Sequence, residues 1–180
     1  MHNRVMKIEH PLSQFLFCPK CGSGHFEIND CKSKKCTKCG FEYYFNVSAA
    51  VAALILNSKN ELLICKRARD PAKGTLDLPG GFVDLEESIE EAIARELKEE
   101  TGMQITQTSY LFSLPNIYVY SDFQVHTIDL FFRCEVENTE HFTAMDDVTS
   151  ASFIPLNQIH PEDFGLESIK KGMSKFLKEY

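Results

Sequence analysis

The sequence predicts an α+β protein, a sandwich built on a mixed sheet and preceded by a small metal-stapled module, and three observations carry that reading. Cys18, Cys21, Cys31, Cys36 and Cys39 crowd into the first 46 residues among Lys, Gly, Ser and Asn, with too little apolar material for an independent core. From Val47 onward the character changes to strand-like apolar runs. Strands and helices then follow one another without a regular βαβ alternation, which favours a mixed-sheet sandwich over a doubly wound fold. A length of 180 residues suits one ordinary domain with an appendage. The expected boundaries are therefore 1–46 and 47–180.

The elements follow in order. Val47 to Asn57 reads as a buried strand, Ser58-Lys59-Asn60 as a turn and Glu61 to Arg67 as a second strand, together a hairpin. Asp70 to Thr75 and Leu78-Pro79-Gly80-Gly81 are loop chemistry. Leu85 to Glu100 has helical periodicity, and Gly102 is placed to end that helix. Further strands are expected near Ile105 to Phe112, Val125 to Val136 and Ala151 to Pro155. An amphipathic last helix carries Ile169, Met173, Phe176 and Tyr180 on one face.

Composition excludes several classes. Hydrophobic residues make up 43% and charged residues 25%, as in ordinary globular proteins. The longest apolar stretch, Val47 to Leu56, is far short of the roughly 20 residues that cross a bilayer, and the first residues lack the apolar run of a secretory signal. The expectation is a cytoplasmic protein with no membrane partner. Reduced thiols in that compartment turn seven cysteines toward metal ligation rather than disulfides. A formal charge of -7 argues against long nucleic acid, and a phosphate-bearing substrate would need cations brought to its site.

Cys18-Pro-Lys-Cys21 and Cys36-Thr-Lys-Cys39 form two CxxC knuckles separated by fourteen residues, each followed by a glycine. Four thiolates so spaced suit tetrahedral zinc with no open position, a structural site. Cys31 and His25, in the intervening loop, are bystanders, while Cys65 and Cys134 sit inside strand-like runs as core residues.

The chemistry concentrates between Gly81 and Met103. Charge runs usually form a solvated helix face, but the helical wheel argues otherwise here. Measured from Ile89 at about 100° per residue, Ile93 and Leu97 define an apolar stripe, and Glu96 and Glu100 fall within about 20° of Ile89 on that arc. Glu99 flanks the pair, whereas Glu87, Glu91, Arg95 and Lys98 point away. Inward carboxylates make sense when cations neutralise them, and clustered hard oxygens select Mg²⁺ or Mn²⁺.

The pattern Gly81-x5-Glu87-x7-Arg95-Glu96-Leu97-x-Glu99-Glu100-x-Gly102-Met103 resembles the complete Nudix box. That resemblance implies an α/β/α sandwich and hydrolysis of a phosphoanhydride by metal-activated water. It implies Glu96, Glu99 and Glu100 as catalytic metal ligands, assisted by the Gly81 carbonyl, with Glu87, Arg95 and Gly102 structural. Glu99 or an acid of a later loop would accept the water proton. Asp147 occupies a place where related enzymes often carry a Glu that completes the site, and an Asp-rich surface turn explains it equally. Arg67, Arg69 and Lys73 stand where they could meet phosphate.

A zinc ribbon before a Nudix domain resembles the NADH pyrophosphatase branch. Ser113-Leu114-Pro115-Asn116-Ile117-Tyr118-Val119-Tyr120-Ser121 stands at the offset of that branch's Ser-Gln-Pro-Trp-Pro-Phe-Pro-x-Ser segment, agreeing at Ser113, Pro115, Tyr118 and Ser121. It implies Ser113 and Tyr118 as substrate contacts beside Arg67, with Tyr118 a base platform or a tyrosine packed in a turn. Three readings follow: a hydrolase of NAD(H) or ADP-ribose type substrates, a pyrophosphohydrolase of nucleoside triphosphates or capped RNA ends, and a metabolite-sensing Nudix regulator without catalysis. The family also suggests a homodimer.

Overall fold

A computed structural model of the chain describes residues 10–179 and divides the chain into two units, one ending at Asn46 and the other starting at Val47. In the N-terminal unit, β1 (Phe26–Ile28), β2 (Ser33–Cys36) and β3 (Glu42–Tyr44) form an antiparallel meander. Its core consists of Cys18, Phe26 and Cys36, with Phe41 packed against them. So small a core does not hold a fold by burial alone, which is why the cysteines matter. The extension before His10 lies outside the described residues.

The second unit runs β4 (Ser48–Leu54), β5 (Glu61–Arg67), β6 (Leu76–Asp77), α1 (Ile89–Thr101), β7 (Ile105–Tyr120), β8 (Phe123–Val136), β9 (Val148–Pro155) and α2 (Glu167–Glu179). One sheet has the order β4-β8-β7, with β4 parallel to β8 and β7 antiparallel to it. The other, β6-β5-β9, is antiparallel throughout.

Alternation along the strands builds the layers. Ala52, Leu54, Leu62, Ile64 and Phe131 join Ile169, Met173 and Phe176 of α2 in one apolar cluster. Their neighbours Val51, Ala53, Ile55, Leu63 and Phe132 join Ala92, Ile93 and Leu97 of α1 in a second cluster. Helices therefore cover opposite faces of the strands, an α/β/α sandwich. At Gly172 an added Cβ would stand 2.4 Å from the Phe131 ring, so α2 approaches β8 only because that position has no side chain. Tyr180, expected on the apolar face of α2, lies outside the described residues.

Several expected elements are corrected. The β4/β5 hairpin closes only at its tip, where Leu56 bridges Leu62 and Leu63 N–H donates to Ile55 O; beyond it the strands diverge into different sheets. The first helix begins at Ile89 and not at Leu85, which is 96% exposed, because Glu86 adopts positive φ and Ser88 caps the helix. Ser88 and Glu91 make a reciprocal capping box, and Gly102 closes the other end in the left-handed conformation. The segment Ser113 to Tyr120 is not a turn but continues β7, paired residue by residue with β8 down to Tyr120 opposite Phe123. Among the described residues no helix is long and apolar enough to cross a membrane.

Candidate active site

The loop before α1 and the inner face of α1 meet without intervening side chains. A Cβ at Gly80 would fall 2.0 Å from Val51 O, and one at Gly81 would fall 2.4 Å from a Glu96 carboxylate oxygen. Two glycines thus let the loop lie against β4 on one side and the Glu96 carboxylate on the other. The loop is pinned there by hydrogen bonds: Val51 N–H donates to Gly81 O at 2.8 Å, and Ala53 N–H to Pro79 O at 2.8 Å. Gly80 N–H donates to Glu100 Oε2 at 2.8 Å, tying the loop to the last turn of the helix.

The three acids of α1 occupy different environments. Glu100 is 6% exposed, Glu96 is partly buried and Glu99 is exposed. Burial pushes the Glu100 carboxyl up to about 8, against the Gly80 N–H and with further upward push from Glu96, Asp77 and Asp147. Burial also raises Glu96, although Arg95 works in the opposite direction.

Arg95 corrects the wheel. It does not point away, because its guanidinium folds back over the site and joins loop to helix. Nε and Nη2 grip the Glu87 carboxylate at 2.8 and 2.9 Å, Nη2 donates to Phe82 O at 2.9 Å, and Nη1 reaches Glu96 at 2.9 Å and Glu99 at 3.1 Å. This grip holds the Glu87 carboxyl down at about 2. Glu87 precedes the N-cap, so it was never on the wheel. With Glu96 and Glu99 turned to Arg95, the described residues bring only the four cysteines, and not these carboxylates, into one close metal-ligating group.

The acids edge a cavity of about 650 Å³ in the second unit. Gly80, Gly81, Arg95, Glu96, Glu99 and Glu100 line it, together with Asp146 and Asp147 just before β9. Asp147 is half-exposed and paired with Arg69 Nε at 2.7 Å. Arg67 also lines the cavity, but its guanidinium is engaged by Asp77 and by the Pro71 carbonyl. Ser113 is not among the lining residues, because β7 alternation turns Asn116 and Tyr120 to the cavity and Ser113 to the other face. Tyr118 pairs with Val125 in the ladder, and its side chain lies outside the described residues.

Sequence reasoning missed four buried polar residues of the lining, Asp77, Asn116, Thr127 and Asp129. A signal was available for Asp129, since a charged residue inside the apolar run Ile128 to Phe132 signals either a partner or a function. No such signal marks Asn116, whose neighbours drew attention by resemblance alone.

In the N-terminal unit the sulfurs of Cys18, Cys21, Cys36 and Cys39 all lie within 4.8 Å of one another. Gly22 and Gly40 N–H donate to Cys18 O and Cys36 O at 2.8 and 2.9 Å, closing the two knuckles. Burial raises the Cys36 thiol, but the backbone N–H groups of Cys39 and Lys38 outweigh it and bring it down to about 6. Cys31 and His25 stand outside the cluster.

With loop, helix and cavity in view, the relatives can be placed. The NUDIX domain profile matches residues 47–179. The chain belongs to the Nudix family. It is 35% identical over 133 residues to the ADP-ribose pyrophosphatase of Methanocaldococcus jannaschii, covering 73% of this chain and 75% of that protein. It is 32% identical over 115 residues to the NAD-capped RNA hydrolase NudC of Haemophilus influenzae, covering 63% of this chain and 43% of that protein. The chain thus matches less than half of the NudC length. In fold, the crystal structure of a NUDIX hydrolase from Nitrosomonas europaea superposes with a TM-score of 0.69 at 22% identity, over 91% of this chain and 90% of that one. The NUDIX domain of Shewanella oneidensis NrtR, crystallised with ADP ribose, superposes at 0.62 with 17% identity, over 76% and 90%.

Proposed function

We propose that this Nudix protein hydrolyses the diphosphate linkage of a nucleoside diphosphate derivative, with ADP-ribose and NAD(H) as the leading substrates. The observation that carries the proposal is the buried Glu100 carboxyl, raised to about 8 beside Glu96 and joined to the glycine loop at the edge of the cavity. Ionised there, such a carboxylate calls for a counter-charge that none of the described residues supplies. The names of the two curated relatives, an ADP-ribose pyrophosphatase and an NAD-capped RNA hydrolase, support the choice of substrate.

The donor set fits a hard divalent cation: Glu96, Glu99 and Glu100 would hold Mg²⁺ or Mn²⁺ with the Gly81 carbonyl, and Asp147 would add a further oxygen. Bound there, the cation supplies Lewis acidity toward water and neutralises phosphate charge. The remaining work belongs to side chains. Arg95 positions Glu96 and Glu99 and, through Glu87 and Phe82 O, keeps the loop against the helix. Glu99, the most exposed of the three acids, takes the proton of the attacking water. Attack at one phosphorus breaks its bond to the bridging oxygen, which leaves as the second phosphate. The products are two phosphate-bearing molecules. Arg67 serves the substrate side indirectly, by holding Asp77 and the Pro71 carbonyl in place.

Four cysteines of the N-terminal unit hold a structural Zn²⁺ in this reading. The acidic balance supports a small nucleotide substrate handled in the cytoplasm over long nucleic acid, and a homodimer is the expected assembly, to be read by light scattering. A hydrolysis screen of ADP-ribose, NADH, NAD, diadenosine polyphosphates and nucleoside triphosphates with Mg²⁺ or Mn²⁺ tests the activity. The expected result is release of AMP from ADP-ribose or NADH ahead of the triphosphates. Turnover of none of them overturns the enzyme reading in favour of a regulator that binds without cleaving.

A further inference from the structure

The cavity has a second wall that hydrolysis does not use. On one face of the β7/β8 ladder, Asn116 stands directly opposite Thr127, and Asp129 follows two residues along β8. All three line the cavity and all are buried, Asn116 at 7% and Asp129 at 5% exposure. Ala50 of β4 pairs with Asp129, and its small side chain leaves the wall open to the cavity.

The hydrogen bonding of this wall is incomplete. Thr127 Oγ1 and Ser168 Oγ each donate to one oxygen of Asp129, which orients the carboxylate, yet among the described residues no cation pairs with it. Nearby Asp77 has Arg67. The Asn116 carboxamide has no hydrogen-bond partner among the described residues. The carboxamide's polar atoms are open to the cavity and not sealed from it, so a ligand that donates to it and to the neighbouring uncompensated carboxylate meets both at once. Phosphate has no proton to give and would be repelled by Asp129 and Asp77. The aromatic residues that line the cavity, Phe82 and Tyr120, are 41% and 60% exposed, so a flat base has its stacking surfaces at the rim and not at this wall.

We infer that Asn116 and Asp129 form a specificity subsite for an uncharged, hydroxyl-bearing sugar carried beyond the diphosphate. The inference rests on the proposed function and deepens it: the group leaving with the second phosphate is a polyol, read by a carboxylate and a carboxamide that Thr127 and Ser168 help to orient. Neutral sugar hydroxyls satisfy the wall, and a third phosphate at the same place would not. Sites built to hydrogen-bond a substrate hydroxyl reject analogues that lack it, because the buried groups are then left unpaired.

The test compares ADP-ribose with ADP esterified by ethanol, which has the same diphosphate linkage and no hydroxyl on the second group, for wild type, Asn116→Ala and Asp129→Asn. Asn116 makes no side-chain hydrogen bond among the described residues, so its replacement removes none from the fold; circular dichroism checks both variants. The expected result is that wild type favours ADP-ribose in kcat/KM at least about tenfold, and that the preference falls at least about tenfold in each variant, chiefly through KM. A wild-type ratio near unity, or a ratio that survives both substitutions, overturns the subsite while leaving the hydrolase standing. If wild type cleaves neither compound, ADP-ribose falls as a leading substrate. Calorimetric binding of the same pair then decides the subsite: a preference for ADP-ribose abolished by Asn116→Ala upholds it, and equal or absent binding overturns it.

Discussion

Glu100 is the residue on which the site turns, because its carboxyl is buried with the Gly80 N–H as donor and no cation among the described residues to balance its charge. The consequence for stability has the opposite sign to that of an ordinary paired acid. The folded state holds the proton up to about pH 8, while the unfolded chain releases it near the ordinary value of 4.5, so between those values the folded state binds more protons. Metal-free protein is therefore fully stabilised by this group below the lower value and loses that contribution as pH rises toward 8. Metal-free Glu100→Gln, which cannot ionise, is expected to melt above wild type at pH 8 and close to it at pH 5, read by calorimetry in chelator. Equal melting temperatures at both pH values would contradict the burial argument. Mg²⁺ or Mn²⁺ must displace that proton, so affinity measured by titration calorimetry rises with pH up to about 8.

At the scale of elements, the same apolar periodicity that marked α1 also decided where it packs, with Ala92, Ile93 and Leu97 buried against β4 and β8. That part was legible because burial and spacing are both local properties. The start of the helix was not, since Leu85 continues the pattern while the Ser88 and Glu91 capping box, a hydrogen-bond feature, sets the first turn at Ile89. Arg95 was misplaced for a related reason: a wheel records the direction of a Cβ, and a long guanidinium can fold back toward Glu87, Glu96 and Glu99. The face that Ser113 takes is a matter of parity, which depends on the register of β7 against β8 and so on pairing between distant residues. The close contact of α2 with β8 gives this scale its prediction. Gly172→Ala places a methyl against Phe131 and destabilises by about 1–3 kcal/mol, measured by urea unfolding of the metal-loaded protein. An unchanged midpoint would mean that the ring yields freely.

For the whole molecule, two modules differ in the core each builds. Among the described residues the N-terminal unit clusters only Cys18, Phe26 and Cys36, beside four sulfurs brought together, whereas the Nudix unit builds two large apolar clusters. Cys36→Ser is expected to release zinc and increase amide exchange across residues 10–46, while the protected amides of β4, β5 and β8 change little, as read by hydrogen exchange with metal analysis. Zinc-free wild type with an ordered N-terminal unit would contradict it. Sequence spacing sufficed to pick out the four-cysteine cluster, since CxxC pairs are local, and to pick out the box, which is one contiguous run. The inner wall of Asn116, Thr127 and Asp129 assembles only when β7 and β8 pair, and it was invisible before the fold.

The central claim is that the α1 carboxylates drive hydrolysis of a diphosphate linkage. Steady-state cleavage of ADP-ribose with saturating Mg²⁺ or Mn²⁺, in wild type and in Glu100→Gln of verified fold, tests it most directly. The account predicts AMP and a sugar phosphate as products, with kcat lowered at least about 100-fold in the variant. Wild-type turnover in Glu100→Gln would contradict it, because the reaction would then not depend on that carboxylate.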